Sequence, residues 1–382
     1  MKLISLTARN TLSNLIINQI EFEDFSLLVG ASGVGKTQIL NAISNLVKMA
    51  KGITVGSFEW NLKFIIDDKE YNWSGQTARV KDTSTQSRIF NGFVLGASEE
   101  NKPSFIKESL FESGREIIRR EDEGFYFLGE KIVKLSTTES VISTLKEEPL
   151  ISKVASAFTN MIFSGNAHAN FFPQFVSVKK GILDSFSDFT SLRNSSLHSS
   201  AKLFVCQEHF PEQFDDILNS YQDVFPFVDD VEVERIAAPW SDDDEESIHF
   251  AVKIKERGID DWILQNDMSS GMAKSWSQLA QLYLASDGSV FLVDEFENGF
   301  GVNCIDEVTR ALMTCGRQMQ FIVTSHHPYI INSIPVTNWK IISRKSATIR
   351  NHNPDEFSLM TSNHEAFTKL INLDVYRDGA DQ

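Results

Sequence analysis

Gly30-Ala31-Ser32-Gly33-Val34-Gly35-Lys36-Thr37 stands directly after the apolar run Phe25-Ser26-Leu27-Leu28-Val29, and Thr37-Gln38-Ile39-Leu40-Asn41-Ala42-Ile43 begins a helix beyond it. The order is buried strand, glycine-rich turn, helix. Glycines let successive backbone N–H groups converge on phosphate oxygens, and the helix N-terminus adds partial positive charge. In this arrangement Lys36 reaches the β- and γ-phosphates, while the Thr37 hydroxyl ligates Mg2+. A glycine-rich turn alone can match this spacing by chance; the strand before it and the helix after it carry the reading. The expectation is a nucleoside triphosphate bound through Gly30, Ala31, Ser32, Gly33, Val34, Gly35, Lys36 and Thr37.

A chain of 382 residues, 42% of them hydrophobic, can bury the core of one large domain or two ordinary ones. No apolar run reaches about eighteen residues, so no membrane span or membrane partner is expected. The opening Met1-Lys2-Leu3-Ile4-Ser5-Leu6 turns polar too soon for a secretory signal. Cys206, Cys304 and Cys315 lack metal-ligand spacing and cannot all pair; they suit a reducing cytoplasm and read as small core residues. The excess of 52 acidic over 36 basic residues, net −16, argues against general affinity for a nucleic-acid backbone. A local basic groove stays open, and with it DNA. The clusters Arg115, Arg119, Arg120 and Arg344, Lys345, Arg350 read as solvated surface, and Asp242 to Glu246 as an exposed loop between strands.

Residues 1–30 read as short strands. Phe58, Trp60, Leu62, Phe64 and Ile66 alternate onto one face, and the chain turns at Asp67-Asp68 into Glu70-Tyr71-Asn72-Trp73. Residues 76–103 are polar and loop-like. Strands are expected at Ser104 to Leu110, Glu116 to Arg120 and Gly124 to Leu135, then a mostly helical stretch from Thr138 to Tyr221, then strands at 231–237 and 247–255 closed by Gly258. No sustained heptads appear, so no long coiled-coil arm is expected. The implied division is 1–135 and 231–382 as two parts of one discontinuous nucleotide-binding head, with 136–230 as a helical insertion.

Gly288-Ser289-Val290-Phe291-Leu292-Val293-Asp294-Glu295 is an apolar strand ending in two acids. Asp294 at the strand tip can hold the Mg2+ shell, and Glu295 can polarise the water that attacks the γ-phosphate. Alone this is a buried strand running into an acidic loop; paired with residues 30–37 it becomes the second half of a hydrolytic site. Ser269-Ser270-Gly271 precedes a helix and offers a second anion-binding turn, or simply a helix cap. After the strand Gln320 to Thr324 come Ser325, His326 and His327; His326 is the residue in register to contact the γ-phosphate and sense its loss.

These four motifs, in this order, resemble an ABC-type ATPase head. Residues 268–272 stand where that superfamily has Leu-Ser-Gly-Gly-Gln: Ser269 and Gly271 match, Met268 replaces leucine, Ser270 the first glycine and Met272 the glutamine. More closely, the chain resembles the AAA-labelled, ABC-like prokaryotic ATPases that include overcoming-lysogenisation-defect (OLD) proteins and the ATPase subunits of PARIS-type and Septu-type phage-defence systems. The resemblance rests on Asp294-Glu295-Phe296-Glu297-Asn298-Gly299, on Thr324 to Asn332 and on His364-Glu365-Ala366-Phe367. Two features depart from it. Asn298 and Gly299 stand near the place of the early D-loop aspartate, and the Q-loop glutamine is left between Gln76 and Gln86.

The resemblance implies an α/β P-loop fold: a mostly parallel core sheet, an antiparallel β lobe and a largely helical insertion. It implies a cytoplasmic ATPase in which two chains sandwich two Mg-ATP, each site taking Ser269 and Gly271 in trans. OLD proteins carry a metal-dependent nuclease after the ATPase; no spaced acidic cluster follows Lys340 to Ser343 here, which implies a separate effector chain, nuclease or toxin, and a phage product as trigger. A DNA repair and recombination ATPase of the SMC class and a transporter ATPase are the alternatives. The nearest match to a guanine-reading Asn-Lys-x-Asp motif, Asn101-Lys102-Pro103-Ser104, lacks the aspartate, which favours ATP over GTP.

Overall fold

The computed structural model describes residues 1–79, 89–90, 93–94, 102–121, 124–164, 176–237, 245–298, 305, 308–310, 313, 317–359 and 362–377. Two compact units form. The first comprises Met1–Phe163, Gly288–Glu295 and Met319–Gln382; the second comprises Ser164–Asp287 and Phe296–Gln318.

A 14-stranded sheet organises the first unit. Its strands are β1 (Lys2–Asn10), β2 (Ile16–Glu21), β3 (Phe25–Val29), β4 (Phe58–Ile66), β5 (Lys69–Thr77), β8 (Phe105–Glu112), β9 (Arg115–Glu121), β10 (Gly124–Phe127), β11 (Glu130–Ile132), β12 (Met161–Phe163), β17 (Val290–Val293), β18 (Gln320–Thr324), β19 (Trp339–Lys345) and β20 (Thr348–His352). A separate pair, β6 (Ile89–Phe90) and β7 (Phe93–Val94), makes a short hairpin. The order across the large sheet is β11-β10-β9-β8-β5-β4-β1-β2-β20-β19-β3-β18-β17-β12. From β12 through β17, β18 and β3 to β19 the strands run parallel. Beyond β1 they form an antiparallel meander. This is the expected parallel core with an antiparallel lobe.

Burial separates the two regions. In β3, β17 and β18 every residue is buried, the pattern of strands covered on both faces. In β4, Phe58, Trp60, Leu62, Phe64 and Ile66 are buried, whereas Asn61 and Lys63 are exposed. Asp67 and Asp68 both take left-handed backbone angles, φ 49° and 62°, and close the β4–β5 hairpin in two residues with Ile66 opposite Lys69. Over this sheet lie the helices Lys36–Ala50 and Pro149–Thr159. The second sends Phe158 edge-on into Trp73 and Phe64, with ring centroids 5.3 and 5.6 Å apart.

Three features differ from the sequence reading. Met161–Phe163, inside the stretch read as helical, is a strand that adds to β17, because Met161-Ile162-Phe163 can cover the edge of the buried core. Strand β19 holds the apolar run Lys340 to Ser343, after which no further strand is expected from the sequence, yet β20 follows and returns antiparallel. Arg120 is not solvated surface. It is 2% exposed, its guanidinium packs over the rings of Phe105 and Phe125, and it faces buried Glu108 at 3.7 Å. Of the acidic run 242–246, residues 242–244 lie outside the described residues; Glu246 pairs with Arg235 across the strands that the run connects.

The second unit carries β13 (Val176–Lys179), β14 (Val228–Ala237), β15 (Glu245–Glu256) and β16 (Ile263–Leu264) in one small sheet with β15 central. Helices Ser199–His209, Pro211–Val224 and Ser270–Leu284 accompany it. Trp276 is fully buried, edge-on to Tyr221 at 5.1 Å. The Tyr221 hydroxyl donates to the Met272 carbonyl at 3.2 Å and so ties two of these helices together.

Candidate functional site

The phosphate loop is shaped by its neighbours in the first unit. Strand β3 lies beside β19, with Val29 opposite Ile341, so the chain leaves the strand against the β19–β20 hairpin. A Cβ on Gly30 would sit 2.4 Å from the Ile342 carbonyl oxygen, and one on Gly35 would sit 2.2 Å from Ile349 Cδ1. Gly35 also holds φ 110°, a backbone state that side chains rarely adopt. Ala31 is half-buried, Ser32, Gly33 and Thr37 are exposed, and Val34 is buried beneath the turn. The helix Lys36–Ala50 starts without a side-chain cap and with no acid in its first turn, leaving its N–H groups and partial positive charge towards the loop. The Lys36 ammonium folds back over that loop, donating to Gly30 O at 2.8 Å and Ala31 O at 2.9 Å.

Three other motifs of the first unit converge there. In the parallel pairing of β17 and β18, Val293 stands opposite Val323, which places the residues that follow, Asp294 and Thr324, side by side. The Thr324 hydroxyl donates to Asp294 Oδ1 at 2.7 Å and accepts the Glu295 N–H at 2.8 Å. The same Asp294 oxygen accepts from the Thr37 hydroxyl at 3.2 Å. His326 Nδ1 lies 3.4 Å from Lys36 Nζ. The neighbouring His327 turns elsewhere: its N–H donates to Ser325 Oγ, and its ring meets Tyr329 edge-on. Glu295 is exposed and sits at φ 46°, left-handed backbone that costs a non-glycine residue about 1 kcal/mol or more. Lys36, Thr37, Asp294 and His326 are thus brought together within one unit, with Glu295 next in chain. Thr324, which sequence reasoning passed over as the end of an apolar strand, joins them.

The donor set suits Mg2+. A hydroxyl and one carboxylate of adjacent elements are hard oxygen ligands that leave room for phosphate oxygens and water. No cluster of three or more His, Cys, Asp or Glu side chains arranged for a metal occurs among the described residues.

Ser269 and Gly271 belong to the second unit. Ser269 caps the helix Ser270–Leu284, its Oγ accepting the Met272 N–H at 3.2 Å. Met268 and Met272 are buried and pin the turn, while Ser269 and Ser270 face outward and Gly271 is half-buried. Methionine at these two positions therefore anchors the turn without occupying its exposed side. Asn298 accepts from the Lys274 ammonium, whereas Gly299 lies outside the described residues. Gln76 sits in β5 between Glu59 and Lys107 of its neighbouring strands, and Gln86 lies outside the described residues.

A parallel core sheet, a glycine-rich loop running from a buried strand into a helix, and an Asp-Glu strand tip beside that loop define a P-loop ATPase fold of the ABC type, a class that binds nucleotide. The chain belongs to the family described as "AAA domain, putative AbiEii toxin, Type IV TA system", whose profile matches residues 25–332. No curated protein matches the chain. Among solved structures it is similar to an Smc head bound to the C-winged helix domain of ScpA, at 13% identity over 92% of this chain and 97% of that one, TM-score 0.50. A Pyrococcus furiosus Smc head with an extended coiled coil, bound to the C-terminal domain of ScpA, aligns at 12% identity over 93% and 97%, TM-score 0.48. The SMC head domain from Thermotoga maritima aligns at 12% identity over 92% and 99%, TM-score 0.43. The first of these likenesses establishes fold. No helix among the described residues is long and apolar enough to cross a membrane.

Proposed function

We propose that the chain hydrolyses Mg-ATP and serves as the sensor and clamp subunit for a separate effector, a nuclease or toxin, in prokaryotic anti-phage defence of the OLD, PARIS or Septu kind. The observation that carries the hydrolytic reading is the meeting of Lys36, Thr37, Asp294 and His326 at one loop, with Thr324 fixing both acids' positions. The family's description, a putative AbiEii toxin of a Type IV TA system, supports a role in a toxin–antitoxin setting.

In this reading the loop amides from Gly30 to Thr37 bind the phosphates, and Lys36 exchanges its carbonyl contacts for β- and γ-phosphate oxygens. Thr37 and Asp294 hold Mg2+, which when bound offsets charge on the phosphates. Glu295 takes a proton from the attacking water as that oxygen bonds to the γ-phosphorus and the bond to the ADP oxygen breaks. His326 hydrogen-bonds a γ-phosphate oxygen and so distinguishes ATP from ADP. Ser269 and Gly271 of a second chain close over the same γ-phosphate, so ATP draws two copies together and hydrolysis releases them.

The test is a tagged Glu295→Gln chain, expected to bind ATP, lose turnover and accumulate as a closed dimer. Recovered from its native host with Mg-ATP, it is expected to bring a stoichiometric nuclease or toxin-like protein, identified by mass spectrometry. Wild-type turnover in that variant removes Glu295 from the base role; DNA recovered without a protein partner moves the reading to DNA repair, and a membrane permease moves it to transport.

A further inference from the structure

Within the first unit, β19 runs parallel to β3 with Ile341 opposite Val29, so Ile342 to Lys345 continue past the end of β3 alongside the phosphate loop. Strand β20 returns beside them, pairing Ile342 with Asn351, Ser343 with Arg350, Arg344 with Ile349 and Lys345 with Thr348. Residues directly opposite each other in an antiparallel pair share a face, and the faces alternate along each strand. Ile349 marks the face turned to the loop, because a Cβ on Gly35 would meet its Cδ1 at 2.2 Å. Arg344, opposite Ile349, stands on that face; Lys345 and Arg350 stand on the other. The three residues that read as one basic cluster are thus divided between two faces. Arg344 is exposed, and its Nε donates to the Ser346 carbonyl at 3.0 Å, which ties the guanidinium to the hairpin tip. Its Nη groups have no protein partner among the described residues.

Strand β3 lies between β18 and β19. Asp294 and His326 follow β17 and β18 on one side of the loop, and the β19–β20 hairpin stands on the other. A triphosphate whose γ end lies at Lys36, Asp294 and His326 runs along the loop amides and carries its nucleoside away from those residues, towards the hairpin. We propose that Arg344 holds the nucleoside end of the bound nucleotide, its guanidinium plane packed against the base. The proposal rests on the nucleotide-binding reading above and adds a contact that the phosphate loop does not supply, since loop amides recognise phosphate alone. A guanidinium is planar, always charged and suited to stacking on an aromatic face. One already held at Nε loses less freedom when it does so.

The experiment is calorimetric titration of wild type, Arg344→Ala and Lys345→Ala with Mg-ATP and with magnesium tripolyphosphate, which has the phosphate chain and no nucleoside. Expected in Arg344→Ala is an ATP Kd raised about three- to thirtyfold, the range of a cation–π contact, with a tripolyphosphate Kd within about twofold of wild type. That second value also shows that the loop of the variant is folded. Lys345→Ala, on the opposite face, is expected to keep both affinities. An Arg344→Ala chain that binds ATP as wild type does overturns the proposal. So does one that loses ATP and tripolyphosphate in equal measure, which would make Arg344 a phosphate contact. Turnover of ATP by wild type, followed alongside, separates the two readings. A chain that binds ATP without hydrolysing it loses the hydrolytic assignment and keeps that of Arg344, whereas wild type that binds neither ligand loses both.

Discussion

The Thr324 hydroxyl holds Asp294 Oδ1 at 2.7 Å while accepting the Glu295 N–H at 2.8 Å, so one side chain fixes the carboxylate of the first acid and the backbone of the second. Thr324 is 1% exposed, which shields both bonds from competing water. Thr324→Val keeps the shape and removes both contacts. Outer contacts of this kind are worth about 10–100-fold in metal affinity or activity. The expected result is a kcat reduced within that range and an Mg2+ requirement shifted to higher concentration. Nucleotide affinity measured without Mg2+ should be unchanged, and Thr324→Ser should restore most of the rate. An unaltered Mg2+ dependence in the valine variant would show that Thr324 has no hold on Asp294.

Gly35 meets two separate obstacles to a side chain. A methyl group there would stand 2.2 Å from Ile349 Cδ1, and φ 110° is unfavourable for any L-residue. Overpacking costs about 1–3 kcal/mol, and the backbone strain about 1–2 kcal/mol more. Gly35→Ala should therefore lower unfolding free energy by roughly 2–5 kcal/mol in urea titration and abolish nucleotide binding. In a double-mutant cycle with Ile349→Ala, whose own cavity costs about 2–5 kcal/mol, the two changes should cost less together than their sum, because the clash is gone. Strict additivity would mean that Ile349 does not crowd residue 35.

The core of the fold was legible because its signals are local. The buried run of β3, the glycines after it and the Asp294-Glu295 strand tip each announce themselves within a few residues, and β18 falls where the apolar run Gln320 to Thr324 places it. The functions of Thr324 and Arg120 were hidden because they depend on pairing at long range. Thr324 matters only once β17 and β18 lie in register, and a threonine ending an apolar run gives no other sign. Arg120 reads as one of three surface arginines until β8, β9 and β10 bring Glu108, Phe105 and Phe125 around it. Met161–Phe163 was missed because three residues carry too little periodicity to tell strand from the end of a helix.

That arginine makes a prediction about the antiparallel lobe. Glu108 is buried, accepts bonds from Trp73 Nε1, Ser140 Oγ and the Val141 N–H, and faces Arg120 at 3.7 Å; Arg120 in turn donates to the carbonyls of Ser136 and Glu139. Burial raises the Glu108 pKa and lowers that of Arg120, so each charged form depends on the other. Arg120→Met leaves the carboxylate uncompensated and the two carbonyls unbonded, a loss of about 3–5 kcal/mol. Combining it with Glu108→Gln should cost less than the sum of the single changes, because the stranded charge is gone. Strict additivity in a double-mutant cycle by chemical denaturation would contradict a coupled pair.

In the second unit, Lys202 should give stability an alkaline pH dependence. Its ammonium is buried, donates to the Arg193 carbonyl at 2.5 Å, and has its pKa lowered to about 8, first by burial and then by the Arg193 charge. Below pH 8 the folded state bears a buried cation that the unfolded state keeps hydrated. Between about 8 and the ordinary lysine value near 10.4, the unfolded chain binds the proton and the folded chain has lost it. Unfolding free energy therefore rises with pH in that window, by up to about 1.4 kcal/mol per pH unit from this group. Lys202→Met removes the titration while keeping the apolar stem. Measured by urea denaturation from pH 7 to 10, the stability of wild type relative to this variant should be flat below pH 8 and climb above it. A difference that stays constant through pH 10 would mean that Lys202 remains charged in the folded state.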